Sequence, residues 1–117
     1  MSTVKVLTAL LLTILAAGSL MKSTIYDISV VQINSRWNAV NSIDLGLLRN
    51  CNKENLYLED QPFSVQRNLP NVPVLIIYRG KEKISMHGGN IMLEPTVSVE
   101  EIQAVIDVNS PSLTSDK

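Results

Sequence analysis

From residue 29 onward the hydrophobic positions change period several times, and each change marks a new element. Val30, Val31 and Ile33 form a short β-branched run that closes at Asn34-Ser35, the pattern of a buried strand. Val40, Ile43, Leu47, Leu48 and Cys51 follow at i, i+3, i+7, i+8 and i+11, which predicts one face of an amphipathic helix. Gly46 inside that span costs about 1 kcal/mol relative to alanine and weakens the helix. Leu56 and Leu58 then alternate with Tyr57 and Glu59, predicting a half-buried strand. Gln61 to Pro70 carries two prolines and no periodicity, so it reads as a loop with room for one helical turn.

The second half is more sharply punctuated. Val74-Leu75-Ile76-Ile77-Tyr78 is continuously apolar, as a strand covered on both faces must be. Arg79-Gly80-Lys81 is a tight turn, and Ile84 and Met86 alternate with polar neighbours in an antiparallel partner strand ending at Gly88-Gly89. Ser98-Val99-Glu100-Glu101 is a capping box, in which the serine oxygen accepts from the amide three residues on and Glu101 reaches back. Val99, Ile102 and Ile106 line one face of the helix that follows, and Asn109-Ser110-Pro111 stops it. The order is strand, helix, strand, loop, strand, strand, helix. A parallel crossover followed by a hairpin gives a mixed sheet in a small α/β sandwich.

Ahead of this pattern lies a different one. Val6 to Met21 is sixteen residues without a charge, bracketed by Lys5 and Lys22. As a helix it covers about 24 Å, short of a bilayer core of roughly 30 Å. The two lysines, whose methylene stems reach the headgroups, and a continuation through Ile25 and Tyr26 lengthen it. A cleaved signal peptide ending near Ala16-Ala17-Gly18-Ser19 is the competing reading. A buried core helix is the third, disfavoured because the segment is apolar on every face. The expected organisation is a signal-anchor over 1–26 that meets lipid through residues 4–25, one domain over 27–110, and a polar tail over 111–117.

Composition narrows the chemistry. The 117 residues suffice for one domain, and a net charge of −1 with no basic block argues against nucleic acid as a partner. A single cysteine, Cys51, excludes an internal disulfide and any C-x-x-C motif. With His87 as the only histidine, no His/Cys set closes a metal site. Ten asparagines produce no N-x-S/T sequon, which disfavours a glycosylated lumenal protein. Cys51 lies on the apolar stripe and reads as a buried structural thiol. His87 reads as a solvated strand-end residue, Asp44 and Glu59-Asp60 as surface carboxylates, and Asn38 and Asn41 as helix caps. Gly88-Gly89 lacks the frame of a phosphate-binding loop.

The ordered set of Trp37 after a strand, the Val72-Pro73-Val74-Leu75-Ile76-Ile77-Tyr78-Arg79-Gly80-Lys81 run, Gly88-Gly89 and a closing helix resembles the thioredoxin superfamily over about residues 29 to 109. That family carries W-C-G-P-C at the junction where this chain has Trp37 to Asn41. The resemblance implies a truncated thioredoxin-like fold, a mixed four-stranded sheet with flanking helices lacking the family's first strand and helix. It also implies a cis Val72-Pro73 bond. The positions of the two cysteines are occupied by Asn38 and Asn41, which neither attack nor form mixed disulfides. Trp37, Asn38, Asn41, Val72 and Pro73 are therefore the vestigial motif positions, and no catalytic, cofactor-binding or metal-binding residue is expected. The expected function is a non-catalytic accessory or scaffold subunit of a membrane protein complex, with the mitochondrial inner membrane and a respiratory-chain assembly favoured over ER or bacterial inner membrane. A membrane-tethered peptide-binding or chaperone-like module using the cis-proline groove is the alternative, and a thiol oxidoreductase acting through Cys51 is the third.

Overall fold

The computed structural model describes residues 26–110. The expected anchor over 1–26 and the polar tail over 111–117 lie outside the described residues, Tyr26 excepted. Among the described residues no helix is long and apolar enough to cross a membrane.

Four strands form one mixed sheet in the order β2-β1-β3-β4. β1 spans Ile28–Asn34, β2 Asn52–Tyr57, β3 Val74–Arg79 and β4 Glu82–His87. β1 and β2 pair in parallel from Ser29 opposite Asn52 to Asn34 opposite Tyr57. β1 and β3 are antiparallel, as are β3 and β4, the latter with an irregular register at Ile77/Tyr78. The mixed four-stranded sheet expected from the sequence is thus present. Both edges of the apolar β3 are paired and both of its faces are covered, the arrangement that a continuous hydrophobic run requires.

Side chains alternate across this sheet and build two cores. On one face Val31, Ile33, Val74, Ile76 and Tyr78 pack with Val72 and with Val65 of α1, the short helix Phe63–Asn68. On the other, Ile28, Val30, Leu75 and Ile77 pack with Leu45, Leu48 and Cys51, and with Ile102 and Ile106 of α2, Val99–Asn109. Each such aliphatic side chain, fully buried, contributes about 1.5–3 kcal/mol relative to exposure. α2 begins as the sequence predicts: the Ser98 side chain accepts from the Glu101 amide, and the Glu101 carboxylate accepts from the Ser98 amide. α1 is the helical turn expected in the 61–70 loop.

One expected element is replaced. Residues 40–51 do not form an amphipathic helix. The chain instead makes two separate 3-10 turns, Arg36–Asn41 and Leu45–Leu47, joined by extended backbone. Val40 is 88% exposed and Leu47 is exposed as well, whereas Leu45, off the anticipated stripe, is buried. The reason lies in the polar residues between the apolar ones. The Gln32 side chain donates to the Ile43 carbonyl and accepts from the Ile43 amide, at 2.9 and 2.8 Å. The Asp44 carboxylate accepts from the Gly46 amide. Side chains that satisfy backbone groups in this way compete directly with a helix ladder. The second strand also ends earlier than expected, at Tyr57, because Leu58–Asp60 turns as a 3-10 element.

Candidate functional site

The junction after β1 is where the motif positions gather, and it is built from amides. Asn34, the last residue of β1, donates through Nδ2 to the Asn38 carbonyl at 2.9 Å and to Ser42 Oγ at 2.8 Å. Its Oδ1 accepts from the Ser35 amide and from Asn38 Nδ2. Asn38 Nδ2 donates in addition to the Leu93 carbonyl at 3.0 Å, and Asn38 Oδ1 accepts from Asn41 Nδ2 at 2.8 Å. Asn34 and Asn38 are buried, so these bonds remove the desolvation cost that buried amides would otherwise carry.

This corrects the expectation that Asn38 and Asn41 cap a helix. Ser35 occupies the N-cap position of the 3-10 turn with no side-chain cap, and Asn38 lies inside it at φ −110°, ψ 17°. Buried amide-to-amide bonding takes precedence over capping. Trp37 and Asn38, though adjacent, point opposite ways: Trp37 is 69% exposed and Asn38 is buried. The junction is clamped from outside by Arg36. Its guanidinium meets Asp60 at 2.9 Å and lies 4.2 Å over the Tyr57 ring, while its amide donates to the Glu59 carboxylate. These two carboxylates are exposed, as expected of surface groups, and they also bond the entry to the turn.

Val72 and Pro73 lead directly into β3, the strand beside β1, and are joined by a cis peptide bond as the resemblance implies. Both are buried. Gly89 covers them so closely that a Cβ there would lie 2.2 Å from the Val72 carbonyl oxygen, and its amide donates to the Asn71 carbonyl. Gly88 fits similarly, against the Pro70 ring. Only glycine allows this approach. The glycine pair therefore seals the proline turn.

Cys51 is not at this junction. It precedes β2 beside Asn52, which is opposite Ser29, while Asn38 follows the other end of β1. Six paired residues, about 17 Å of strand, separate the two ends. The thiol is buried, and that burial pushes its pKa up, with Lys53 pulling partly the other way. A thiol held protonated is a poor nucleophile. His87 ends β4, half-buried, with Nε2 3.2 Å from Ser85 Oγ. Among the described residues no group of three His, Cys, Asp or Glu side chains gathers closely enough to hold a metal ion.

Sequence patterning gives no warning of the segment that closes the site. Asn90 organises the loop after β4: its Oδ1 accepts from the Met92 and Glu94 amides at 2.8 and 2.9 Å. Leu93 sits at φ 63° with its side chain against the Val31–Tyr78 core and its carbonyl on Asn38. No periodicity marks such a loop. The one available signal is an asparagine directly after Gly-Gly, which favours an Asx turn.

No family model and no curated protein matches the chain. Solved structures do. A mutant thioredoxin from Halobacterium salinarum NRC-1 superposes with a TM-score of 0.54 at 10% identity, over 75% of this chain and 79% of that one. A designed protein superposes with a TM-score of 0.46 at 15% identity, over 78% and 89%. At such identities the likeness concerns architecture alone. With the sheet order, the cis Val72-Pro73 turn and a single cysteine in place of a C-x-x-C pair, the chain has a thioredoxin-like fold without the redox motif.

Proposed function

We propose that the protein is a redox-inactive, thioredoxin-like accessory or scaffold subunit of a membrane protein complex. Its N-terminal apolar segment holds it at the membrane, and a respiratory-chain complex of the mitochondrial inner membrane is the favoured assembly. The observation that carries this reading is the state of Asn38. The residue at the first vestigial cysteine position is buried and spends its side chain on Asn34, Asn41 and Leu93. Those bonds hold a turn in place; they leave nothing to attack a substrate. The chain's thiol lies at the opposite end of the sheet and is buried. The absence of sequons, together with the short apolar segment flanked by Lys5 and Lys22, supports the compartment and the anchor.

The peptide-binding alternative requires Val72 and Pro73 to meet an extended chain. Their burial under Gly88-Gly89 ranks that reading second. An oxidoreductase acting through Cys51 ranks third for the same kind of reason.

The test is extraction of native membranes with mild detergent, followed by native electrophoresis. The scaffold reading expects the protein to migrate within a large assembly and to resist alkaline carbonate. Migration as a lone monomer overturns it, and loss of activity in Cys51→Ser with folding preserved would restore the thiol enzyme.

A further inference from the structure

We propose that the loop between β4 and α2 turns the vacated junction into a convex epitope. Its Ile91-Met92 tip inserts into an apolar pocket rimmed by Lys or Arg side chains on a partner protein. This deepens the scaffold reading and rests on it for the partner's existence, not for the geometry.

The loop is built for presentation. Besides the two bonds to Asn90 Oδ1, the Asn90 amide donates to the Glu94 carbonyl and the Leu93 amide to the Asn90 carbonyl, both at 2.9 Å. Asn90 Nδ2 also reaches the Glu94 carboxylate. Leu93 holds a left-handed backbone, which a branched residue keeps only when its surroundings over-determine it. Here the surroundings are the core beneath its side chain and the Asn38 amide on its carbonyl. The consequence falls on its neighbours: Ile91 is 89% exposed and Met92 is 68% exposed. Trp37 and Val40 are exposed at the same end of the sheet, on the turn that Asn38 ties to Leu93. Scattered exposed apolar residues are ordinary, but four on one end, two of them on a hydrogen-bonded tip, mark a contact surface. A loop already fixed in its bound shape loses little ordering entropy when it docks.

Charge selects the occupant. Glu59, Asp60 and Glu94 border this end, and the Arg36 guanidinium among them is engaged by Asp60 and the Tyr57 ring. An acidic rim repels an anionic lipid surface and equally repels a second copy of itself. The chain's own N-terminal segment joins at the far end, where Tyr26 is hydrogen-bonded to Asn52 and β1 runs about 20 Å away from it. A basic-rimmed protein pocket is the occupant that the charges and the chain path both favour.

A photo-cross-linking residue installed at position 91 of the full chain, in cells that express it, tests this. Position 108, exposed near the end of α2, is the control. The expected product is an adduct to another protein, mapped to a peptide that combines apolar residues with Lys or Arg. Its yield should fall at least about fivefold in Met92→Asp and about twofold or more in Glu94→Gln. Met92→Asp should unfold at the temperature of the unsubstituted protein, since its side chain is exposed. Adducts to lipid, to a second copy of this chain or to a peptide without basic residues overturn the proposal, as does a yield no higher than at position 108. Carbonate extraction of the same membranes reads the anchor separately: release with the cross-link intact overturns the anchor alone.

Discussion

Asn38 illustrates how much a single buried amide controls. Asn38→Ala removes two donated bonds and one accepted bond, leaving Asn34 Oδ1 and the Leu93 carbonyl each short of a partner. The expected cost is about 2–3 kcal/mol by urea denaturation. Asn38→Asp should cost more, because it sets a carboxylate against those same two oxygens. A loss below about 0.5 kcal/mol for either would mean that water replaces the network. Tyr78 is the opposite case. Its hydroxyl is buried and has no hydrogen-bond partner among the described residues, and burial pushes the phenol up to about 12. Between the unfolded value of 10.0 and about 12, the unfolded chain loses this proton while the folded chain keeps it. Stability is therefore intact below the unfolded value and falls as pH rises through that window. Tyr78→Phe should flatten much of this alkaline decline and change stability near neutral pH by no more than about 1 kcal/mol. Urea titrations at about pH 7 and about pH 11 check both halves.

At the scale of elements, legibility follows the source of the stabilising contacts. β3, the hairpin to β4 and the start of α2 are readable because burial on two faces and a capping box leave marks in neighbouring residues. The helix expected after Trp37 is absent because its apolar spacing coincides with a helical period only by chance. The deciding bonds come from Gln32 and Asn34, residues of the preceding strand. The same holds for the site. The cis Val72-Pro73 turn is legible in the sequence, but the tie from Asn38 to Leu93 spans 55 residues and no local pattern encodes it. The close packing on the proline turn yields a prediction at this scale. Gly89→Ala forces a Cβ onto the Val72 carbonyl, which is backbone and cannot swing aside. It should destabilise by about 2–3 kcal/mol or more. Gly80→Ala, at φ 62° but in open space, should cost only about 1 kcal/mol. Comparable losses for the two in urea denaturation would place the strain in the backbone and not in the packing.

For the molecule as a whole, the two-sided core gives the proposed anchor a test. Among the described residues both hydrophobic clusters are built from residues 28–106, and the edge strand β2 carries Lys53, Glu54 and Asn55, charged and polar groups that discourage further pairing. A chain beginning at Ser23 should therefore fold with the same cooperative urea transition as the full chain, within about 1 kcal/mol. Under the proposed anchor it should also lose attachment to membranes completely, because the described domain would then fold without the segment that tethers it. If the shortened chain instead loses its cooperative transition, the apolar segment packs on the domain and the anchor reading fails. The two cores leave Tyr26 and the acidic junction at opposite ends of β1. A domain tethered at the first end thus turns its apolar, acidic-rimmed end outward. The orientation follows from the direction of one strand, and reversing the tether should reverse it. Attaching an equivalent apolar segment after residue 110 should preserve the outward face, since α2 packs beside Cys51's end of the sheet, where Gln103 is bonded to Arg49. Inserting the segment in the Gly88–Thr96 loop instead should bury that face at the membrane and abolish partner adducts from a photo-cross-linking residue newly placed at position 37.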